Sequence, residues 1–316
     1  VTDEITTQEK FETQTFEAQT YEEWLKFAAE SLQSNARDNP YLDAKTDVYL
    51  LLSTVTQRRQ AYIMAFPETL LTQEEMRRLS QLLSRRAKGE PMAYILGERD
   101  FWSLNLAVAP TTLIPRPDTE ILVEKAVELV KNKINSLHFN RQSFSILDLG
   151  TGTGAIALAL SAELTDWAEK FGVILRIWGA DFLPDAVELA RSNARRNHIH
   201  NVEFVQSDWF DNIHESFDMI VTNPPYIDAQ DEHLTQGDVR FEPLTALVAA
   251  ENGFGDLRHI IEQAPNYLKP QGYLLLEHGW QQGEKVRSFF AQNLWQGVET
   301  LKDYGDNERI TLGRLK

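Results

Sequence analysis

The 316-residue sequence contains no cysteine. That one absence excludes disulfides, thiolate metal sites and a cysteine nucleophile. No apolar run reaches the roughly 18 residues that a membrane-spanning helix requires, and the first residues are acidic and polar rather than basic and then apolar. No secretory signal is expected, and the cytoplasm is the expected location. Positive charge is scarce, with 31 Lys and Arg against 47 Asp and Glu, a formal net charge of −16. Such a balance opposes attraction to a polyanionic backbone, so stable nucleic-acid binding is not expected, although a local basic face stays open. Histidine is sparse, and His198 and His200, the nearest pair, have no carboxylate cluster beside them at metal-ligand spacing. They are read as surface residues, and no metal is expected. What is present in quantity is apolar side chain, 42% of the residues, enough for one large or two ordinary soluble domains.

Residues 1–20, rich in Thr, Gln and Glu and without a sustained apolar period, are expected to form a mobile leader. From 21 to 90 the periodicity is helical, carried by Trp24, Phe27, Ala28 and Leu32, then Val48, Leu51, Leu52 and Val55, then Met76, Leu79, Leu82 and Leu83. Thr72 with Glu75 forms a capping box, and Gly89 before Pro91 is a stop signal. Arg77, Arg78, Arg85, Arg86 and Lys88 make the last helix basic, which suits either a solvated face or a docking face for an acidic partner. Residues 91–115 have β-type composition broken by Gly97 and Asp100 and are expected to form a β-hairpin linker. "IPRPDTE" follows, with Asp118 as a helix start.

Residues 116–316 alternate between strand and helix signals. Strands are expected near 144–149, 173–180, 202–206, 217–222 and 272–277, helices near 154–165, 184–197, 255–268 and 281–291, and a strand pair at the end. This order predicts an α/β domain with a mostly parallel sheet covered on both faces and an antiparallel C-terminal addition. Ligands in such sheets bind beyond the carboxyl ends of the strands.

Four of those ends carry polar or special residues. "DLGTGTGA" places Gly150, Thr151, Gly152, Thr153 and Gly154 between a strand and an apolar helix, where glycine permits positive φ and the helix start offers free backbone donors. Gly150, Gly152 and Ala155 also satisfy a relaxed dinucleotide fingerprint, so this loop alone leaves a nicotinamide enzyme open. Asp181 ends the second strand, where a carboxylate accepts both hydroxyls of a ribose or, alternatively, caps a helix. Trp209 follows the third strand beside Asp208, where its ring covers a face of adenine or packs in the core. "TNPPY", with Asn223, Pro224, Pro225 and Tyr226, ends the fourth.

Three of these tips describe a site for a nucleoside with a polar tail, and the set resembles the class I S-adenosylmethionine-dependent methyltransferases. The motif N-P-P-Y is similar to that of the branch that methylates planar amino groups. A carboxamide or adenine amino nitrogen delocalises its lone pair and is a weak nucleophile. Asn223 through its side-chain oxygen and Pro224 through its backbone carbonyl can each accept one N–H, aiming the nitrogen and stabilising the positive charge that arrives on it. Two prolines hold that carbonyl without reorganisation, and Tyr226 can stack on the planar group. Glutamine amide and adenine present the same N–H pair, but an enzyme acting on DNA must flip a base and hold a polyanion, against the net charge of −16.

The fuller pattern is similar to the HemK family, the peptide chain release factor glutamine methyltransferases. It is carried by "RRAKGEPMAYILGERDFWSLNLAVAPTTLIPRPDTE", "DLGTGTGAIALAL", "NPPYI", "RFEPLTALVA", "LLLEHGWQQGE" and "DYGDNERITLGR". The resemblance implies a Rossmann-like methyltransferase domain over 116–316, preceded by the hairpin linker and by a helical substrate-docking domain over 21–90. It implies methyl transfer from S-adenosyl-L-methionine to the side-chain amide nitrogen (N5) of the glutamine in the Gly-Gly-Gln motif of class 1 release factors. On the family pattern Gly150 to Gly154, Asp181, Trp209 and Asn223 line the cofactor, and Asn223 to Tyr226 receive the glutamine. A sister branch that methylates a ribosomal-protein glutamine shares N-P-P-Y, and "IPRPDTE" fits the release-factor branch better. A non-catalytic S-adenosylmethionine sensor is a third reading, against which the intact N-P-P-Y speaks. Glu277, Asp306 and Arg309 lie in family-like blocks but receive no chemical role from the sequence.

Overall fold

The computed structural model describes residues 18–35, 42–136 and 142–316. The greater part of the expected leader therefore lies outside the described residues. Of its end, Thr20 is the cap of the first helix: its hydroxyl accepts the amide of Glu23, whose carboxylate in turn accepts the amide of Thr20.

The chain divides into two compact units, one of residues 1–97 with 232–241, the other of 98–231 with 242–316. In the first, helices α1 (Tyr21–Asn35), α2 (Ala44–Thr56), α3 (Gln60–Ala65) and α4 (Gln73–Ala87) enclose a core. Tyr21, Trp24, Ala28 and Leu32 form the buried stripe of α1, whereas Phe27, expected in that stripe, is 48% exposed. The Thr72–Glu75 capping box opens α4. The basic face expected on α4 is largely spoken for within this unit. Arg86 is buried against Asp47 at 2.7 Å and Asp238 at 3.0 Å, Arg77 pairs with Glu74, and Arg85 pairs with Glu90. Arg86 therefore belongs to the interior, because its burial leaves the guanidinium dependent on those two carboxylates. Met92–Leu96 is a short helix, α5, closed by Gly97 at φ +78°, where β-type composition had suggested strand.

The second unit opens with the hairpin β1 (Glu98–Phe101) and β2 (Leu104–Ala107). A 3-10 turn at Pro117–Thr119 then leads into α6 (Glu120–Asn135), so Asp118 lies inside that turn rather than capping the helix. The sheet comprises β3 (Ser143–Leu149), β4 (Ile174–Asp181), β5 (Val202–Gln206), β6 (Phe217–Thr222), β7 (Leu268–Glu277), β8 (Trp295–Lys302) and β9 (Glu308–Leu315). Their spatial order is β5-β4-β3-β6-β7-β9-β8, parallel from β5 to β7 and antiparallel at β9 and β8.

Alternation along the central strands feeds two separate cores. Ile146, Met219, Val221 and Leu275 face α6, α7 (Ala155–Lys170) and α8 (Pro184–Arg196). Leu147, Ile220, Leu274 and Leu276 face α9 (Gly255–Gln263) and α10 (Gly283–Phe289). Helix α9 stops five residues short of the expected 268 because Pro265 lies in a 3-10 turn at Ala264–Asn266. β7 begins at Leu268 and pairs regularly only from Tyr273, since Pro270 supplies no ladder donor. Among the described residues no helix is long and apolar enough to cross a membrane.

Candidate active site

The order in which strands are added reverses between the parallel neighbours β3 and β6, with β4 and β5 on one side and β7 on the other, and such a switch point is where open α/β sheets hold their ligands. Register aligns the strand ends there: Leu149 pairs with Thr222 and Ala180, and Asp181 with Gln206. Residues immediately after these ends therefore share one rim. A cavity of about 400 Å³ opens on it.

The first wall is the glycine loop. Gly150, Gly152 and Gly154 have φ of +68°, +53° and +84°, values at which a side chain is strained. Space also restricts Gly154, where a Cβ would lie 3.1–3.3 Å from Leu158, Ala190 and Phe204. Three side chains hold the loop. Asp148, fully buried at the end of β3, accepts the Thr151 hydroxyl at 2.6 Å and the Ala157 amide at 3.2 Å through Oδ2. Burial pushes its carboxyl up to about 7, against those two bonds, and its Oδ1 has no hydrogen-bond partner among the described residues. Asp181 accepts the Gly152 amide at 2.8 Å and the Leu183 amide at 3.0 Å, so it braces the loop as well as the start of α8. Burial raises its pKa, opposed by those backbone donors. Asn193 of α8, fully buried, donates to the carbonyls of Thr153 and Ala107, both at 2.9 Å.

Trp209 closes the next part of the rim. It has φ +43°, in a turn held by the Ser207 hydroxyl donating to its carbonyl at 2.8 Å. Its ring lies 3.7 Å from the position a Cβ on Gly150 would take. Trp209 thus lines the cavity while its other side joins the core beneath. The neighbouring Asp208 also lines the cavity.

The opposite wall is made by TNPPY with two partners that the sequence left without roles. Asn223 donates through Nδ2 to Thr119 Oγ1 at 3.1 Å, and the Thr119 hydroxyl donates to Glu277 Oε2 at 2.6 Å. The Tyr226 hydroxyl donates to Glu277 Oε1 at 3.1 Å. Glu277 is 1% exposed; burial raises its pKa, opposed by the two hydroxyls and by the charge of Arg309. Burial, then the Glu277 charge, also raises the phenol of Tyr226. Arg309 is itself held by Asp303 at 2.8 Å. Beyond the prolines the amides of Tyr226 and Ile227 donate to the Leu247 carbonyl, and Gln282 donates to the Tyr226 carbonyl at 3.0 Å. Among the described residues the carbonyl of Pro224 carries no hydrogen bond.

Of the expected site residues, Gly150, Thr151, Gly152, Thr153, Asp181, Trp209, Asn223 and Pro225 line the cavity, while Gly154, Pro224 and Tyr226 are next to lining residues in sequence without being among them. Thr119 lines it too, as does Arg116, whose guanidinium pairs with buried Glu242. Thr119, Glu277 and Asn193 went unremarked as site residues. The first two lie in the distinctive blocks "IPRPDTE" and "LLLEHGWQQGE", but neither carries a local signal of its purpose. Among the described residues no group of three His, Asp or Glu is placed to hold a metal.

A family model described as a methyltransferase domain matches residues 140–308, and one described as the PrmC N-terminal domain matches residues 23–97. The chain is 61% identical over 296 residues to the release factor glutamine methyltransferase of Pasteurella multocida, covering 93% of this chain and 99% of that protein. Its identity to the Haemophilus influenzae protein of the same name is 58% over 296 residues, with coverages of 94% and 99%. The Escherichia coli K12 protein of that name is 53% identical over 295 residues, with coverages of 93% and 98%.

Proposed function

The chain belongs to the release factor glutamine methyltransferase family, and from that membership we propose that it methylates the side-chain amide nitrogen (N5) of the glutamine in the Gly-Gly-Gln motif of class 1 peptide chain release factors. It is an enzyme, a protein-glutamine methyltransferase, and its second unit is a Rossmann-like class I methyltransferase domain. The observation that carries the proposal is the side chain of Asn223. Its Nδ2 is spent on Thr119, so its Oδ1, without a partner among the described residues, is left to accept an N–H in the cavity.

S-adenosyl-L-methionine fits the opposite wall on physical grounds: a backbone cradle of positive-φ glycines, a carboxylate at Asp181 for ribose hydroxyls, and Trp209 with Asp208 for a purine. When bound, it would supply a methyl group carried on sulfonium sulfur, which keeps the C–S electron pair, while the methylated nitrogen would give up one proton to solvent. Gly150, Thr151, Gly152, Thr153, Gly154, Asp181, Trp209 and Asn223 hold it in this reading.

Asn223, Pro224, Pro225 and Tyr226 receive the glutamine. Asn223 Oδ1 and the Pro224 carbonyl each accept one amide N–H. Both bonds strengthen as positive charge develops on nitrogen, so they lower the barrier more than they tighten ground-state binding. The ring of Tyr226, its hydroxyl anchored on Glu277, offers the carboxamide a planar surface. The helical unit over 21–90 docks the release factor, and the reaction takes place in the cytoplasm.

Transfer of a labelled methyl group to purified class 1 release factor tests the reading. A Gln→Ala variant of its Gly-Gly-Gln loop and a DNA fragment serve as controls. Label on the wild-type factor alone is expected. Label on DNA favours an adenine methyltransferase, and label on neither makes the ribosomal-protein glutamine or a sensor function the successor.

A further inference from the structure

Asn223 can perform its part only in one of two orientations. Rotating its amide by half a turn exchanges Oδ1 and Nδ2, which are nearly equal in shape, and then presents a donor to a substrate nitrogen that is itself a donor. Neither proline excludes that flip, because the prolines constrain the backbone alone. Something must fix the amide.

We propose that Thr119, oriented by Glu277, is the positioning residue that fixes the amide of Asn223 with its oxygen toward the substrate. A threonine hydroxyl has one proton and two lone pairs. Glu277 Oε2 takes that proton at 2.6 Å, leaving Thr119 Oγ1 only lone pairs for Asn223, 3.1 Å away. The group of Asn223 that faces Thr119 is therefore its NH₂. Tyr226 at 3.1 Å occupies the other carboxylate oxygen as a second donor, so Glu277 receives from both sides and has an acceptor turned to Thr119. All three partners are inside the second unit, and Thr119 and Glu277 are buried at 4% and 1% exposure, where water does not compete for these bonds. The chain of donors runs in one direction, from Asn223 to Thr119 to Glu277.

The flipped alternative requires the hydroxyl of Thr119 to donate to Asn223 and leaves Oε2 of Glu277 without a donor in a buried site. Loss of a partner there costs the desolvation of the group left behind. The 3-10 turn at Pro117–Thr119 brings the hydroxyl to this spot, which gives "IPRPDTE" a chemical purpose.

The inference rests on the glutamine-methyltransferase reading, and its test separates the two. A wild-type enzyme that leaves release-factor glutamine unmethylated ends that reading. With an active wild type, Thr119→Val, which keeps the shape and removes the hydroxyl, is expected to lower kcat about 10- to 100-fold, with the S-adenosylmethionine Kd and the release-factor KM changed less than threefold. Thr119→Ser, which restores the hydroxyl, is expected to regain kcat within threefold of wild type. Glu277→Gln retains size but takes an acceptor from one of the two hydroxyls, and about a tenfold loss in kcat is expected. The Val and Gln changes combined are expected to cost no more than Val alone, because Glu277 acts through Thr119. Wild-type kcat in the Val variant, equal losses in the Val and Ser variants, or multiplying losses in the double variant would each overturn the proposal. If the Val variant fails to fold, the isosteric Gln variant decides: wild-type kcat there overturns it.

Discussion

On one wall of the cavity Asp181 reaches the amide of Gly152 across 29 residues of a single strand-helix-strand unit. On the other, Asn223 finds Thr119 at a separation of 104 residues, and Thr119 finds Glu277 at 158. The first wall is backbone held by carboxylates, made for a ligand that approaches closely. The second is side chain held by side chain, made to keep one amide in one orientation. Local geometry suffices to bind a nucleoside, whereas aiming a weak nucleophile needs convergence from three distant segments.

The largest effect separating the walls should come from Asp148, which supports the loop with one oxygen while the other has no partner among the described residues. An acid whose pKa is higher folded than unfolded keeps a proton in the native state that the unfolded chain has released. Stability of the ligand-free enzyme is therefore expected to fall as pH rises from the ordinary carboxylate value of 3.8 to about 7 and then to level off. The loss is on the order of 4 kcal/mol at most. Asp148→Asn should lack this loss, and urea unfolding of both proteins at pH 5 and pH 8 would reveal it. Identical pH dependence would remove the assigned burial cost.

Asn223→Ala comes next. It should lose about 3 kcal/mol of transition-state stabilisation, roughly a hundredfold in kcat, while the fold and much of the cofactor affinity are retained. Stopped turnover measured beside calorimetric binding distinguishes this from a general disruption of the cavity. Asp181→Ala should do the reverse, weakening cofactor affinity by roughly 2 kcal/mol, about 30-fold, with a smaller change in kcat at saturation. If the two variants show the same profile, the walls do not divide their work. The smallest effect is expected from Gly179→Ala, whose new Cβ would lie 2.6 Å from the Phe204 ring and 2.7 Å from the Thr151 hydroxyl. A destabilisation of about 1.5 kcal/mol in denaturant unfolding is expected from such overpacking.

The same contrast explains what could be read from the chain. Short strand signals alternating with helical ones, glycines at a strand end and a proline pair are local, so the central strands, the loop from Gly150 to Gly154 and the TNPPY tip were legible. Thr119 and Glu277 were not, because a threonine in a turn and a glutamate at a strand end have many ordinary explanations until the fold joins them. Arg86 shows the opposite error. Its place in a basic run suggested a surface, and only Asp47, 39 residues earlier in sequence, and Asp238, 152 residues later, make it an interior residue. Phe27 followed helical spacing yet faces outward, since spacing marks a stripe without deciding which residue at its margin is covered.

The most direct test of the central claim is fragmentation mass spectrometry of release factor after incubation with the enzyme and S-adenosylmethionine. The account predicts a single added methyl on the side-chain amide nitrogen of the Gly-Gly-Gln glutamine, absent when Asn223 is alanine. A methyl on a lysine or a backbone nitrogen would contradict it, because a lysine amine has a localised lone pair that needs no such aiming and a backbone amide has only one N–H for the two acceptors.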